Sequence, residues 1–341
     1  MEPAAAAGDF LVAAADMLGL ERRPESIRAI LDRVCGGQLS GRAADGFPTS
    51  TLSVTGIPFE ASVTGGHGRV TPALRYVVET GTRHADFELR LGAQLAAIDA
   101  LAGSMPNNAV AVTTTLRSFV TALYPNPAEV SARHGFATWL GVAHHLGGAD
   151  GALGLKLYGS LLTAPGALPR LCAAFPEFAE SISVPARDGF VEPYFAAIEI
   201  DKHGVRTHKI YLRARYGDIA TPMKVVSHFG NPAWEVLSEV VRCGADAATL
   251  HQFPIVICCG RRGDVPIFAL HLGPHRGGDL TALVHELAAR HHGSTRAVDA
   301  LTSAAASIGA GWRYSVVGLS CSAGDGIDKL NVYGTPIWNA A

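Results

Sequence analysis

Lysine and tyrosine recur two residues apart at Lys156-Leu-Tyr158 and Lys209-Ile-Tyr211. The second pair lies in Arg206-Thr-His-Lys-Ile-Tyr-Leu-Arg-Ala-Arg-Tyr216, which reads as a β-strand because Ile210, Tyr211 and Leu212 favour a pleated surface and no Gly or Pro interrupts them. A side-chain period of two puts Thr207, Lys209, Tyr211 and Arg213 on one face. Cations beside an aromatic ring do not suit a packed core, since an unpaired buried charge is costly. They suit the wall of a cavity that holds an anion with an apolar tail. The ordinary alternative is a set of side chains that snorkel, or pair with glutamates on the outside of a sheet. The repeated spacing favours the cavity.

The elements that would position these residues also repeat. Helical periodicity covers residues 8–20 and 24–35, with Pro24 suited to a first turn and Gly36-Gly37 to a stop. Strand patterns at 52–64 and 73–79 flank the turn Gly65-Gly-His-Gly68. Helices at 84–102 and about 108–123 lead to a second hairpin, Thr138 to Leu146 and Leu153 to Leu162, across Gly147-Gly-Ala-Asp-Gly151. A helix at 165–179 precedes a third, Tyr194 to Ile200 and Val205 to Tyr216. Helices at 221–248 precede a fourth, Pro254 to Cys259 and Val265 to Leu272. Helices at 278–308 precede a fifth, Trp312 to Cys321 and Asp328 to Tyr333, turning at Ser322-Ala-Gly-Asp-Gly326. Self-similarity with a period of roughly 60 residues marks a repeated unit. Tight glycine turns join antiparallel strands, so five hairpins give ten antiparallel strands. Closing them into a barrel removes exposed edges and leaves a lumen wider than side chains alone fill. The expected fold is α/β (more strictly α+β), a single domain over residues 1–341 with a closed ten-stranded barrel ringed by amphipathic helices.

Composition narrows the function. With 48% hydrophobic and 17% charged residues, the 341-residue chain can build a large core. Its net charge of −2 gives no basic field to recruit nucleic acid or an anionic membrane. No apolar run approaches the ~18 residues of a spanning helix, and Met1-Glu-Pro lacks the basic start of a signal peptide. The expectation is a cytoplasmic protein, with six reduced cysteines packed in apolar surroundings. His285-Glu-Leu-Ala-Ala-Arg-His291 has the wrong spacing for a zinc helix, and no Asp-Asp-x-x-Asp motif occurs. Gly318-Leu-Ser-Cys-Ser322 lacks the final glycine of a nucleophile elbow and precedes a turn instead of a helix. Neighbouring His144 and His145 must point to opposite faces of their strand.

If the second strand of each hairpin lines the lumen, alternation names the lining residues. They are Ala73, Arg75, Val77 and Glu79; Lys156 and Tyr158; Thr207, Lys209, Tyr211 and Arg213; Ile267, Ala269 and His271; Lys329, Asn331 and Tyr333. A one-residue slip in any strand would exchange its faces. Cations and tyrosines converging in this way fit a diphosphate held by charge-assisted hydrogen bonds beside an aromatic cage.

On these residues the chain resembles the ABBA (αββα) barrel aromatic prenyltransferases, in particular bacterial-like indole prenyltransferases of the dimethylallyltryptophan synthase type. Ile57-Pro-Phe-Glu-Ala-Ser62 is similar to the family's first-strand motif, Ala73-Leu-Arg-Tyr-Val-Val-Glu79 to its next strand, and Leu155-Lys-Leu-Tyr158 and His208-Lys-Ile-Tyr211 to its Lys-x-Tyr strands. The resemblance implies that Glu60 binds the acceptor N–H and assists deprotonation. It also implies that Arg75, Lys156 and Lys209 bind diphosphate, with Tyr158 and Tyr211 in a tyrosine shield. The family's arginine position holds Thr207, for which Arg213 is expected to compensate, and Phe268-Ala-Leu-His-Leu272 offers His271 where a shield tyrosine is usual. Tyr314 and Tyr333 are the remaining shield candidates. The implied reaction is electrophilic aromatic prenylation from dimethylallyl or longer prenyl diphosphates, of a kind used in secondary metabolism such as alkaloid biosynthesis. No cofactor or metal is expected. The partners expected are the diphosphate and an indole-type small molecule, bound by a monomer or homodimer. A non-catalytic isoprenoid-diphosphate binding barrel would keep the cations without needing Glu60, and phenolic or peptide acceptors are the alternative within the enzyme class.

Overall fold

Five pairs of helices alternate with five hairpins in a computed structural model that describes residues 3–35, 39, 50–53, 56–82, 84, 86–105, 109–130, 138–147, 152–181, 189–275, 278–322 and 326–338. The first unit comprises α1 (Pro3–Met17), α2 (Pro24–Cys35), β1 (Phe59–Gly66), the two-residue β2 (Arg69–Val70) and β3 (Leu74–Val78). The second is α3 (Phe87–Ala102), α4 (Ala109–Leu123), β4 (Thr138–His145) and β5 (Ala152–Ser160); the third is α5 (Ala167–Ala174), α6 (Pro176–Ser181), β6 (Val191–Ile200) and β7 (Arg206–Ala214). The fourth is α7 (Thr221–Phe229), α8 (Asn231–Arg242), β8 (Ile255–Arg262) and β9 (Val265–Leu272); the fifth is α9 (Thr281–His291), α10 (Arg296–Ser307), β10 (Gly311–Ser322) and β11 (Ile327–Ile337). The expected helix stop at Gly36-Gly37 and the turn residues 148–151 and 323–325 lie outside the described residues.

Three long helical patterns are each divided into two helices. The 165–179 pattern breaks at Phe175, which is extended (φ −139°, ψ 92°), because the residue before Pro176 is pushed out of the helical region. The 221–248 pattern turns at Gly230, where φ is +67°. The 278–308 pattern is divided between His291 and Arg296.

Every neighbouring strand pair is antiparallel, in the order β11-β10-β9-β8-β7-β6-β5-β4-β3-β1, with β2 a short extension at the β1 turn. Pairing of β1 with β11, from Ala61↔Gly334 to Gly65↔Leu330, closes the barrel. Outside the barrel, α1 packs on α10 and completes the ring of helices. Alternation then sorts the side chains into two cores. Phe59, Leu74, Tyr76, Leu157, Ile198, Ile210, Leu270 and Val332 point outward into the main core, with helix residues such as Phe10, Ile27, Leu31, Phe119 and Phe178. A separate inner cluster of Val77, Tyr158, Phe195, Ala197, Tyr211, Cys258 and Ala269 lies in the lumen. Burying a large aliphatic or aromatic side chain contributes roughly 1.5–3 kcal/mol, so the larger outer core carries most of the stability, while the lumen combines its small apolar cluster with charged residues. The six cysteines are free thiols. Among the described residues no helix is long and apolar enough to cross a membrane.

Candidate active site

The lumen divides into two connected cavities. The first, about 420 Å³, is lined by Arg75 from β3, Lys156 from β5, Glu199 from β6, Lys209 from β7 and Lys329 from β11. Lys209 Nζ donates to Glu199 Oε2 at 2.6 Å, and an Arg75 guanidinium nitrogen lies 3.8 Å from Glu199 Oε1. Lys156 Nζ donates to the Tyr211 hydroxyl at 2.7 Å and lies 4.2 Å from the centre of the Tyr158 ring. Burial, reinforced by Lys209, pushes the Lys156 ammonium well below the usual lysine range. Burial likewise lowers Lys329 to about 8, partly opposed by Glu199. Burial alone would raise the Glu199 carboxyl, but Lys209, Lys156, Lys329 and Arg75 together hold it well below the usual carboxylate range. This end of the lumen is short of negative charge. A polyanion is the ligand that would relieve it.

The second cavity, about 320 Å³, is lined by Glu60, Trp139, Tyr194, Phe195, Val256 and Ser315. Glu60 is 7% exposed and accepts a hydrogen bond from the Ser315 hydroxyl. Burial lifts its carboxyl to about 8 against the opposing pull of Ser315, so it is largely protonated at pH 7 and becomes available as a base as pH rises through 8. Trp139 is held from behind, its indole nitrogen donating to Glu79 Oε2 at 3.2 Å while Ser50 donates to the same oxygen at 2.6 Å.

Between the cavities stands a belt of rings that lines both: Tyr158, Tyr211, His271 and Tyr333. Ring centres are 6.0 Å apart for Tyr158–Tyr211, 5.7 Å for Tyr211–His271 and 6.3 Å for His271–Tyr333. Phe195 backs the belt at 4.3 Å from Tyr211. Burial pushes the three tyrosine hydroxyls upward, so the rings remain neutral phenols. Burial, with the nearby lysines, drops His271 to about 3, and the imidazole is neutral as well. Its ring occupies space that a side chain at Gly318 would fill: a Cβ there would stand 2.6 Å from His271 Nδ1.

The lumen thus gathers Glu60, Arg75, Lys156, Lys209, Tyr158, Tyr211, Tyr333 and His271. Two expected members lie elsewhere. Arg213 shares the face of Lys209 but sits four residues farther along β7, at the other mouth of the barrel. There it donates to Glu192 at 2.7 Å, with its guanidinium 5.1 Å from the Tyr194 ring centre. Tyr314 faces outward and its hydroxyl donates to the Val298 carbonyl of α10 at 3.1 Å. A β-bulge between Tyr314 and Val316 shifts the alternation, so Ser315 and Val316 line the lumen while Tyr314 does not. Glu199, Phe195, Trp139 and Ser315 come from first strands, which period-two reading of second strands passes over; a bulge at Pro193/Phe195 also helps to turn Phe195 inward. Neighbouring His144 and His145 do take opposite faces, His145 at the cavity and His144 buried against Ser26 of α2. Among the described residues no three His, Cys, Asp or Glu side chains converge as a metal-binding group.

No family model matches the chain, and no curated protein matches it in sequence. Solved structures do match in three dimensions. A 5-dimethylallyltryptophan synthase from Streptomyces coelicolor superposes with a TM-score of 0.75 at 16% identity, covering 98% of this chain and 97% of that one. The chain has the ABBA prenyltransferase barrel fold. Prenyltransferase PriB, solved with L-tryptophan and dimethylallyl thiolodiphosphate, matches the barrel with a TM-score of 0.72 at 19% identity over 98% and 96% of the two chains. A 6-dimethylallyltryptophan synthase from Micromonospora olivasterospora, in complex with DMASPP and Trp, gives 0.70 at 17% identity over 98% and 97%.

Proposed function

We propose that this ABBA barrel is an enzyme that transfers an allylic prenyl group from a prenyl diphosphate to an indole-type acceptor. The observation that carries the reading is the belt of Tyr158, Tyr211, His271 and Tyr333 standing between four cations on one side and Glu60 on the other. Relatives of the same fold whose structures contain tryptophan and a dimethylallyl thiolodiphosphate support it. Arg75, Lys156, Lys209 and Lys329 would hold the diphosphate where charge develops as the C–O bond breaks and its electron pair leaves with the phosphate oxygen. The allylic cation would lie against the belt, stabilised by π-faces and shielded from water. Trp139 and Phe195 would hold the acceptor ring beside it, and a ring carbon would donate an electron pair to form the C–C bond. Glu60 would accept the N–H hydrogen bond, and the ring proton would be lost to complete the exchange, giving prenylated arene, pyrophosphate and a proton. The side-chain cations would perform the charge neutralisation, so turnover should not require a divalent metal.

Mass spectrometry of products from dimethylallyl, geranyl and farnesyl diphosphates with tryptophan and simple indoles, in EDTA, tests the reading. A product heavier by one prenyl unit on carbon supports it. Tight diphosphate binding without any C–C bond would make the barrel a binding protein, and turnover lost in EDTA would remove metal independence.

A further inference from the structure

Glu199 is an acid in the middle of the cation cluster. It sits on β6 opposite Lys156 on one side and Thr207 on the other, and its side chain is 22% exposed, within the cavity. The other acids lining this cavity are occupied differently: Asp201 accepts from Arg262 at 2.6 Å, and Asp328 accepts from the Ser322 hydroxyl. Glu199 alone among these three holds cations of the cluster, Lys209 at 2.6 Å and Arg75 at 3.8 Å. A carboxylate that grips the same nitrogens a phosphate would use competes with that phosphate, and like charges at close range in a poorly solvated site repel strongly.

Resting on the prenyl-transfer reading, we infer that Glu199 is a built-in competitor for the leaving group, which limits how tightly pyrophosphate is held and speeds its release. The charges make the direction clear. A prenyl diphosphate is a trianion once its terminal phosphate has ionised. The cavity is lined by six cations, Arg75, Lys156, Lys202, Lys209, Arg262 and Lys329, and three acids, Glu199, Asp201 and Asp328, so with every cation charged a trianion makes the two signs even. Breaking the C–O bond leaves a further negative charge on pyrophosphate, balanced while the carbocation is present. Once the carbocation has been consumed by C–C bond formation, fully ionised pyrophosphate and the acids of the cavity exceed the cations by one charge, an excess relieved when pyrophosphate takes up a proton or leaves. The product state is then disfavoured relative to the substrate state, and as pyrophosphate departs Glu199 resumes Lys209 and Arg75. The cluster is never left without an anion.

Titration calorimetry with inorganic pyrophosphate on the full chain, alongside steady-state kinetics with dimethylallyl diphosphate, tests this. Glu199→Gln should bind pyrophosphate roughly ten- to a hundredfold more tightly than wild type. It should also show a lower donor KM, a lower kcat and stronger product inhibition. Glu199→Asp, which keeps the charge but draws it back from Lys209, should fall between the two. Thermal unfolding confirms that each variant is folded; if the Gln variant is not, tighter pyrophosphate binding by the Asp variant decides in favour and equal or weaker binding decides against. Pyrophosphate affinity unchanged or reduced in Glu199→Gln overturns the inference. Wild type that binds no pyrophosphate at all overturns the functional reading instead.

Discussion

Glu60→Gln is the substitution whose effect the structure specifies most fully. The amide has the shape of the carboxylate and can retain contact with Ser315, so the buried site keeps its packing while losing its base. A general base contributes about 10²–10⁴-fold, or about 3–5 kcal/mol of barrier. With the carboxyl lifted to about 8, about a tenth of free molecules hold the ionised base at pH 7 and about a hundredth at pH 6. The ratio of wild-type to variant kcat/KM should therefore be ~10³ at pH 9 and fall about tenfold per unit below pH 8, to about ten at pH 6. Titration of Lys329, also near 8, affects both proteins and cancels in that ratio. Stability should move the other way. A carboxyl whose folded value lies above its unfolded one is most favourable when protonated, so wild type loses stability as pH rises from ~4.5 through 8. The Gln variant lacks that loss, and its Tm should gain on wild type as pH increases. A rate ratio that is independent of pH, or below tenfold at pH 9, would refute the role of Glu60 as the base.

Ser315→Ala removes a hydrogen bond that favours the ionised carboxylate, so the alkaline rise of kcat/KM should move to higher pH; a shift downward would contradict the assignment. Pyrophosphate binding should draw protons onto Lys156 and Lys329, whose values are depressed in the open site, and calorimetry in HEPES and Tris should report net proton uptake at pH 8. Arg213→Ala should leave the donor KM within about twofold, because its exposed pair with Glu192 contributes about 0–1 kcal/mol at most. Lys209→Ala removes the nearest of the cations around Glu199, which keeps Arg75 at 3.8 Å, and should cost about 1.5–3 kcal/mol of stability as well as donor affinity. Equal effects of these two substitutions on KM would undo the division of the barrel into two mouths.

The repeat was legible because each hairpin combines period-two alternation with a glycine turn, and the lining positions of the second strands follow from it. Lys156, Tyr158, Lys209, Tyr211, His271 and Tyr333 face the lumen as alternation requires. Alternation fails at bulges: one extra residue at Ser315 sends Tyr314 to the helices, and one at Tyr194 accompanies the inward turn of Phe195. It also says nothing of distance along the strand. At about 3.3 Å per residue, Arg213 lies some 13 Å beyond Lys209, too far to share one diphosphate. Glu199 was hidden because a glutamate between two isoleucines on a first strand looks like an ordinary outward-facing charge.

The closing pair, β1 with β11, joins residues far apart in the chain, with the Thr64 hydroxyl donating to Asn331 at 2.7 Å across 267 positions. A loop of that length carries a larger closure entropy than any of the hairpins in the barrel. At ~5–20 residues per second of synthesis, β1 waits on the order of 13–55 seconds for its partner to be made. During that time its edge is open and the site does not exist, because Glu60, Ser62 and Tyr333 meet only at the seam. The candidate site is therefore complete only once this seam has closed, and a nascent chain that stops short of β11 has no assembled site.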